Sequence, residues 1–146
     1  MKTSEPALLD SNVLIYAADR TSQFHANAKR LVRQGLRGNA PLHLATQVLL
    51  EFYAVITNPR RVTNPVSPQE AIQEIRRYIS SPMKIVYPVE ATMPKIVELA
   101  RRYPVKGQII FDLQLIATML TNGITRIYTY NADHFRSFRE LEVLTP

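Results

Sequence analysis

Short apolar runs alternate along this chain with longer stretches of helical periodicity. Ala7-Leu8-Leu9 has strand length and stops on Asp10, and Asn12 to Ala18 reads as one or two helical turns that Ser11 or Asn12 can cap. From Phe24 to Leu36 the apolar positions Phe24, Ala28, Leu31, Val32 and Leu36 recur at helical spacing, with Lys29, Arg30 and Arg33 on the other face and Gly35 and Gly38 bracketing the end. Pro41 to Ala45 is a second strand, and Thr46 is placed to cap a helix from Gln47 to Thr57 that Asn58-Pro59 stops. Arg60 to Pro68, with two prolines, reads as a loop. Ser67, Pro68 and Glu70 then form the start signal of a helix reaching about Ile79.

The second half repeats the pattern. Lys84 to Tyr87 is a third strand, Thr92 to Tyr103 a helix, and Ile109 to Asn122 a strongly apolar helix closed by Gly123. Thr125 to Thr129 is a fourth strand, Asp133 to Phe138 a turn or short helix, and Leu141 to Leu144 a last strand. Such alternation predicts an α/β fold with a mostly parallel sheet of four to five short strands flanked by helices. With no repeat or linker, residues 1–146 read as one domain, long enough to bury a core without staples.

Composition narrows the chemistry. The absence of cysteine excludes disulfides, thiolate zinc sites and a cysteine nucleophile, and it suits the reducing cytoplasm. The N-terminal residues Met1 to Asp10 lack a signal-peptide core, and no run approaches the roughly 20 apolar residues of a membrane helix, so a soluble cytoplasmic protein with no membrane partner is expected. The net charge is +6. Gathering four of the acids into one pocket would leave the remaining surface still more positive, which favours polyanions.

Three acids stand in apolar company. Asp10 lies between Ala7-Leu8-Leu9 and Val13-Leu14-Ile15, Glu51 interrupts Val48-Leu49-Leu50 and Phe52, and Asp112 interrupts Ile109-Ile110-Phe111 and Leu113. An ionised carboxylate in such surroundings costs several kcal/mol unless it is paired or bound to metal. Each alone has an ordinary explanation: Asp10 could cap a helix, Glu51 could meet an arginine, and Asp112 could open a helix. Three together point to a site. In an open α/β sheet ligands bind beyond the carboxyl ends of the strands, where Asp10, Glu51 and Asp133 all fall in sequence. Clustered carboxylates repel unless a divalent cation offsets them, and an all-oxygen donor set suits Mg²⁺ or Mn²⁺. His25, His43 and His134 show no metal-ligand spacing and read as ordinary surface or core histidines. A carboxylate-held cation on a basic protein fits phosphodiester hydrolysis or phosphoryl transfer, and no Gly-rich phosphate loop is present.

Four runs in order, Leu8 to Ile15, Gln47 to Phe52, Ile110 to Ala117 and Thr129 to Asp133, resemble PIN-domain ribonucleases, in particular VapC-type toxins. The resemblance implies a PIN fold and Mg²⁺- or Mn²⁺-dependent endonucleolytic cleavage of RNA. It also implies that Asp10 and Asp112 are the principal metal ligands, Glu51 the third acid and Asp133 a fourth. Asn12, Thr129 and Asn131 match polar positions beside the metals, and Asn131 stands where many members carry Asp. A cognate antitoxin and a homodimer are further implications. Arg60, Arg61, Arg76, Arg77, Arg101, Arg102 and Lys106 are candidates to grip RNA phosphates. The competing readings are an aspartyl-phosphate phosphatase or receiver domain, a DNA nuclease, and a catalytically inactive nucleic-acid-binding module of the same fold. The first would place a second Asp where Asn12 stands, or a late Lys that the chain after Gly107 lacks.

Overall fold

The inner strands of a parallel sheet are covered on both faces, and Ala7, Leu8 and Leu9 are each 1 % exposed or less. They form β1 (Ala7–Leu9), the central strand of a five-stranded sheet in the computed structural model, which describes residues 5–146. The reading of a missing signal-peptide core rests partly on Met1 to Ser4, outside the described residues. The remaining strands are β2 (Leu42–Ala45), β3 (Lys84–Val86), β4 (Arg126–Tyr128) and β5 (Glu142–Leu144). Their order is β3-β2-β1-β4-β5, and all four pairings are parallel. The sheet is therefore wholly rather than mostly parallel.

The chain winds outward from β1 through β2 to β3, then returns to the other side of β1 for β4 and β5. The strand order reverses between β1 and β4, which makes a crevice at their carboxyl ends. This order also differs from the flavodoxin-like 2-1-3-4-5 arrangement, which removes the receiver-type alternative.

Among the described residues six helices complete the fold: α1 (Ser11–Ala18), α2 (His25–Leu36), α3 (Thr46–Ile56), α4 (Pro68–Ile79), α5 (Thr92–Arg102) and α6 (Ile110–Thr121). Capping departs from expectation at two of them. Asp10, not Ser11 or Asn12, caps α1, accepting the Ser11 amide at 2.7 Å. Thr46 is the first residue of α3 rather than its cap; the extended residue before it is Ala45, which supplies no side-chain bond, because β2 runs directly into the helix. The Ser67–Glu70 capping box is present at α4 as its sequence indicates.

Two glycines are required by space or backbone. A Cβ on Gly35 would sit 2.6 Å from the Met83 sulfur, so a larger residue there would force the buried Met83 side chain to move. Gly123 ends α6 with φ of 74°, the left-handed geometry that glycine adopts without strain. None of the helices among the described residues is long and apolar enough to cross a membrane.

Candidate active site

The pairing of β1 with β4 matches Leu9 to Tyr128, so the next residues, Asp10 and Thr129, emerge side by side at the crevice. The Asp10 amide continues the ladder to the Tyr128 carbonyl at 3.0 Å. Thr129, fully buried, donates its hydroxyl to Asp10 Oδ2 at 2.8 Å. The same hydroxyl oxygen accepts from Asn12 Nδ2 at 3.1 Å and from the Asn131 amide at 3.0 Å, which fills its one donor and two acceptor positions. Asn12 also donates to Asp10 Oδ2 at 3.3 Å and accepts from the Tyr130 amide at 3.1 Å. Asp10 is thus held by neutral donors alone, in a network spanning nearly the whole sequence.

Glu51 arrives from the next strand over. β2 pairs with β1, and α3 begins at once after it, so the second turn of α3 places Glu51 beside the carboxyl end of β1. Gln47 on the first turn donates from Nε2 to Glu51 Oε1 at 3.1 Å and to the Phe111 carbonyl at 2.9 Å. Asp112 sits in the first turn of α6, where the helix dipole favours a carboxylate. His134 Nδ1 lies 3.6 Å from its Oδ2.

The three acids feel one another. Burial, with a smaller push from the Glu51 and Asp112 charges, outweighs the Thr129 and Ser11 hydrogen bonds and raises the Asp10 pKa to about 6. Burial also raises Asp112, His134 draws it back, and Glu51 adds to the rise. Such an arrangement is unfavourable while empty and becomes favourable when a cation enters.

The structure gathers Asp10, Glu51, Asp112, Asn12 and Thr129 at one place. Asn131 contributes its backbone amide while its residue is exposed. Asp133 is not drawn in: its side chain is 91 % exposed and pairs with Arg136 at 3.2 Å. His134, read from sequence as an ordinary histidine, has a side chain that is 61 % exposed but lies near Asp112. Ala132–His134 form a 3₁₀ turn, in which each residue rotates about 120° from the last, so adjacent side chains face different ways. No feature of the sequence says which of the two approaches Asp112. Gln47 was also missed as a site residue, although its i, i+4 spacing to Glu51 on a helix is a usable signal.

Among the described residues, no three histidine, aspartate or glutamate side chains lie close enough together to hold a metal ion between them as they stand. Mg²⁺ commonly takes one or two carboxylates directly and keeps several waters, so mutually repelling oxygen donors around a buried Asp10 fit it chemically. An open pocket of about 410 Å³ borders Glu51 and Gln47 and is lined also by Leu50, Pro88 and Thr118. The larger groove, about 750 Å³ between α1, α2, α3 and α4, touches none of the three acids and is not the candidate site. Of the candidate phosphate grips, Arg102 is committed to Glu98 and Glu140, and Arg77 to Glu74. Arg60, Arg61, Arg76, Arg101 and Lys106 have no ion pair among the described residues.

A parallel α/β fold with carboxylates at its switch point defines a class, and the comparisons with known proteins identify the family. Residues 7–141 match the PIN domain, and the chain belongs to that family. Ribonuclease VapC48 of Mycobacterium tuberculosis is 30 % identical over 138 residues, covering 94 % of each chain. The crystal structure of VapC20 from Mycobacterium tuberculosis, described as a Sarcin-Ricin loop cleaving toxin, superimposes with a TM-score of 0.67 at 15 % identity, covering 90 % of this chain and 95 % of that one. A toxin-antitoxin complex from Klebsiella pneumoniae contains a chain that matches with a TM-score of 0.64 at 18 % identity, covering 96 % of this chain and 97 % of its own.

Proposed function

We propose that this protein is a divalent-metal-dependent endoribonuclease, the toxin of a toxin–antitoxin pair, that hydrolyses RNA phosphodiester bonds. The observation that carries the reading is the buried Asp10, held by neutral donors and repelled by Glu51 and Asp112 with no cationic side chain among its hydrogen-bond partners. Asp10, Glu51 and Asp112 are the acids that would hold Mg²⁺ or Mn²⁺, and Asp133 is left outside that set by its outward ion pair. When bound, the cation would lower the pKa of a water and stabilise charge on the phosphate. The chain's own contribution is orientation. Thr129 and Asn12 hold one oxygen of Asp10, the Ser11 amide holds the other, and Gln47 holds Glu51.

Cleavage of a labelled RNA pool by native protein and Asp10→Asn, in Mg²⁺, Mn²⁺ or EDTA, tests this reading. Metal-dependent cleavage lost in the variant supports it. RNA binding without cleavage by either protein would replace it with a non-catalytic binding module. Cleavage of DNA in preference to RNA would reassign the substrate.

The partners follow from the same reading. An antitoxin is proposed from the Klebsiella toxin-antitoxin complex that this fold matches, and co-purification with the neighbouring gene's product tests it. A homodimer is supported by several exposed large apolar side chains, among them Leu50 (68 % exposed), Met93 (63 %), Tyr87 and Phe111. Light scattering should report twice the chain mass, falling to one chain mass in a Leu50→Arg, Met93→Arg double variant.

A further inference from the structure

We propose that Gln47 is a positioning residue that locks the Glu51 carboxylate to the first turn of α6 and thereby sets the spacing between Glu51 and Asp112. The inference rests on the nuclease reading above. Gln47 Nε2 reaches two acceptors, Glu51 Oε1 at 3.1 Å on its own helix and the Phe111 carbonyl at 2.9 Å across 64 residues of sequence. Because both partners only accept, the amide orientation is decided by chemistry: the NH₂ group must face them. Its Oε1 then points inward, buried and without a partner.

Burying an acceptor unpaired is destabilising, and a side chain lacking that atom would avoid the penalty. The site keeps it. The same amide is the only side-chain or backbone donor to the Glu51 side chain among the described residues, and Phe111 directly precedes Asp112. One neutral group therefore ties together the two segments that carry repelling acids. An arginine or lysine could make both bonds but would bring its own positive charge, filling the electrostatic role left for a metal. Glutamine restrains the carboxylate without neutralising it.

The test compares native protein with Gln47→Met, which keeps the length and removes both polar atoms. Four quantities are measured: kcat and KM for a labelled RNA, Mn²⁺ affinity by titration calorimetry, and the melting temperature of the metal-free protein. The expected result is kcat and Mn²⁺ affinity each lowered about 10- to 100-fold, the range for groups that orient metal ligands. KM should be unchanged, and the melting temperature equal to or above native. Native-like kcat and Mn²⁺ affinity would overturn the proposal, as would losses that track a lowered melting temperature. If Gln47→Met does not fold, Gln47→Asn decides: it keeps a neutral amide but is one methylene shorter and does not span Glu51 and the Phe111 carbonyl together, so Mn²⁺ affinity should fall while the fold survives, and native affinity would overturn the inference. Native cleavage abolished by Asp10→Asn but unaffected by Gln47→Met would sink this inference alone. Native protein that neither binds Mn²⁺ nor cleaves RNA would remove the nuclease reading and this one with it.

Discussion

The molecule handles carboxylates in two opposite ways. At the corner where the end of α5 meets the segment before β5, Glu140 accepts from Arg102 and from the Tyr103 hydroxyl at 3.0 Å, and Glu98 pairs with both Lys95 and Arg102. Burial pushes Glu140 upward, but its own backbone amide, Tyr103 and Arg102 outweigh that push and keep its pKa below the ordinary value. At the crevice, Asp10 meets no arginine or lysine among the described residues, and its pKa rises. The corner's acids are matched to cations already in the chain, and they serve the fold. Among the described residues the crevice's acids meet no arginine or lysine and only His134 stands near one of them, so most of their compensation has to come from outside. Residue type alone does not separate the two cases; the sign of the neighbouring charge does.

The largest expected effect falls at the crevice. Asp10→Asn and Asp112→Asn should each lower RNA cleavage by more than about a hundredfold, beyond the ~10–100-fold typical of groups that only orient a ligand; single-turnover assays at saturating metal measure this directly. Loss of only a few-fold would show that these acids are no more essential than those at the corner.

The same substitution should stabilise the metal-free protein. A carboxyl whose pKa rises from 3.8 to about 6 on folding contributes stability that is complete below the unfolded value and lost as pH climbs through the folded one. Between pH 4 and 7 this amounts to about 2 kcal/mol lost, an order-of-magnitude figure. In EDTA, urea unfolding should show Asp10→Asn more stable than native at pH 7, with the difference vanishing near pH 4. Equal stability at both pH values would mean that Asp10 is not frustrated.

Thr129→Val tests the neutral network. Removing the hydroxyl strips a donor from Asp10 and an acceptor from Asn12 and the Asn131 amide, so cleavage should fall about 10–100-fold. Stability should fall by about 1–3 kcal/mol for the polar groups left unpaired, read from the same urea curves. The smallest effect belongs to the corner: Glu140→Gln should cost about 1 kcal/mol or less, a melting shift of about 2–4 °C for a chain this size, with cleavage unchanged. A loss of cleavage there would end the contrast between the two regions.

Much of this was legible in the linear sequence because the signals are local. Alternating apolar runs and helical periods identified all five strands and six helices to within a few residues, since burial of Ala7 to Leu9 or of the apolar face of α6 depends on residues close together in the chain. The unusual setting of Asp10, Glu51 and Asp112 was visible for the same reason, as carboxylates interrupting hydrophobic stretches. What tertiary structure alone decided was convergence and direction. Asp10 meets Thr129 because β1 pairs with β4, a register that joins positions 119 residues apart. Gln47 bonds to Phe111 only once α3 and α6 are both docked, and His134 rather than Asp133 reaches Asp112 because a tight turn points the two side chains in different directions. Local patterns encode which residues must be buried; hydrogen bonds and charge pairs between distant segments exist only after the chain has brought those segments together.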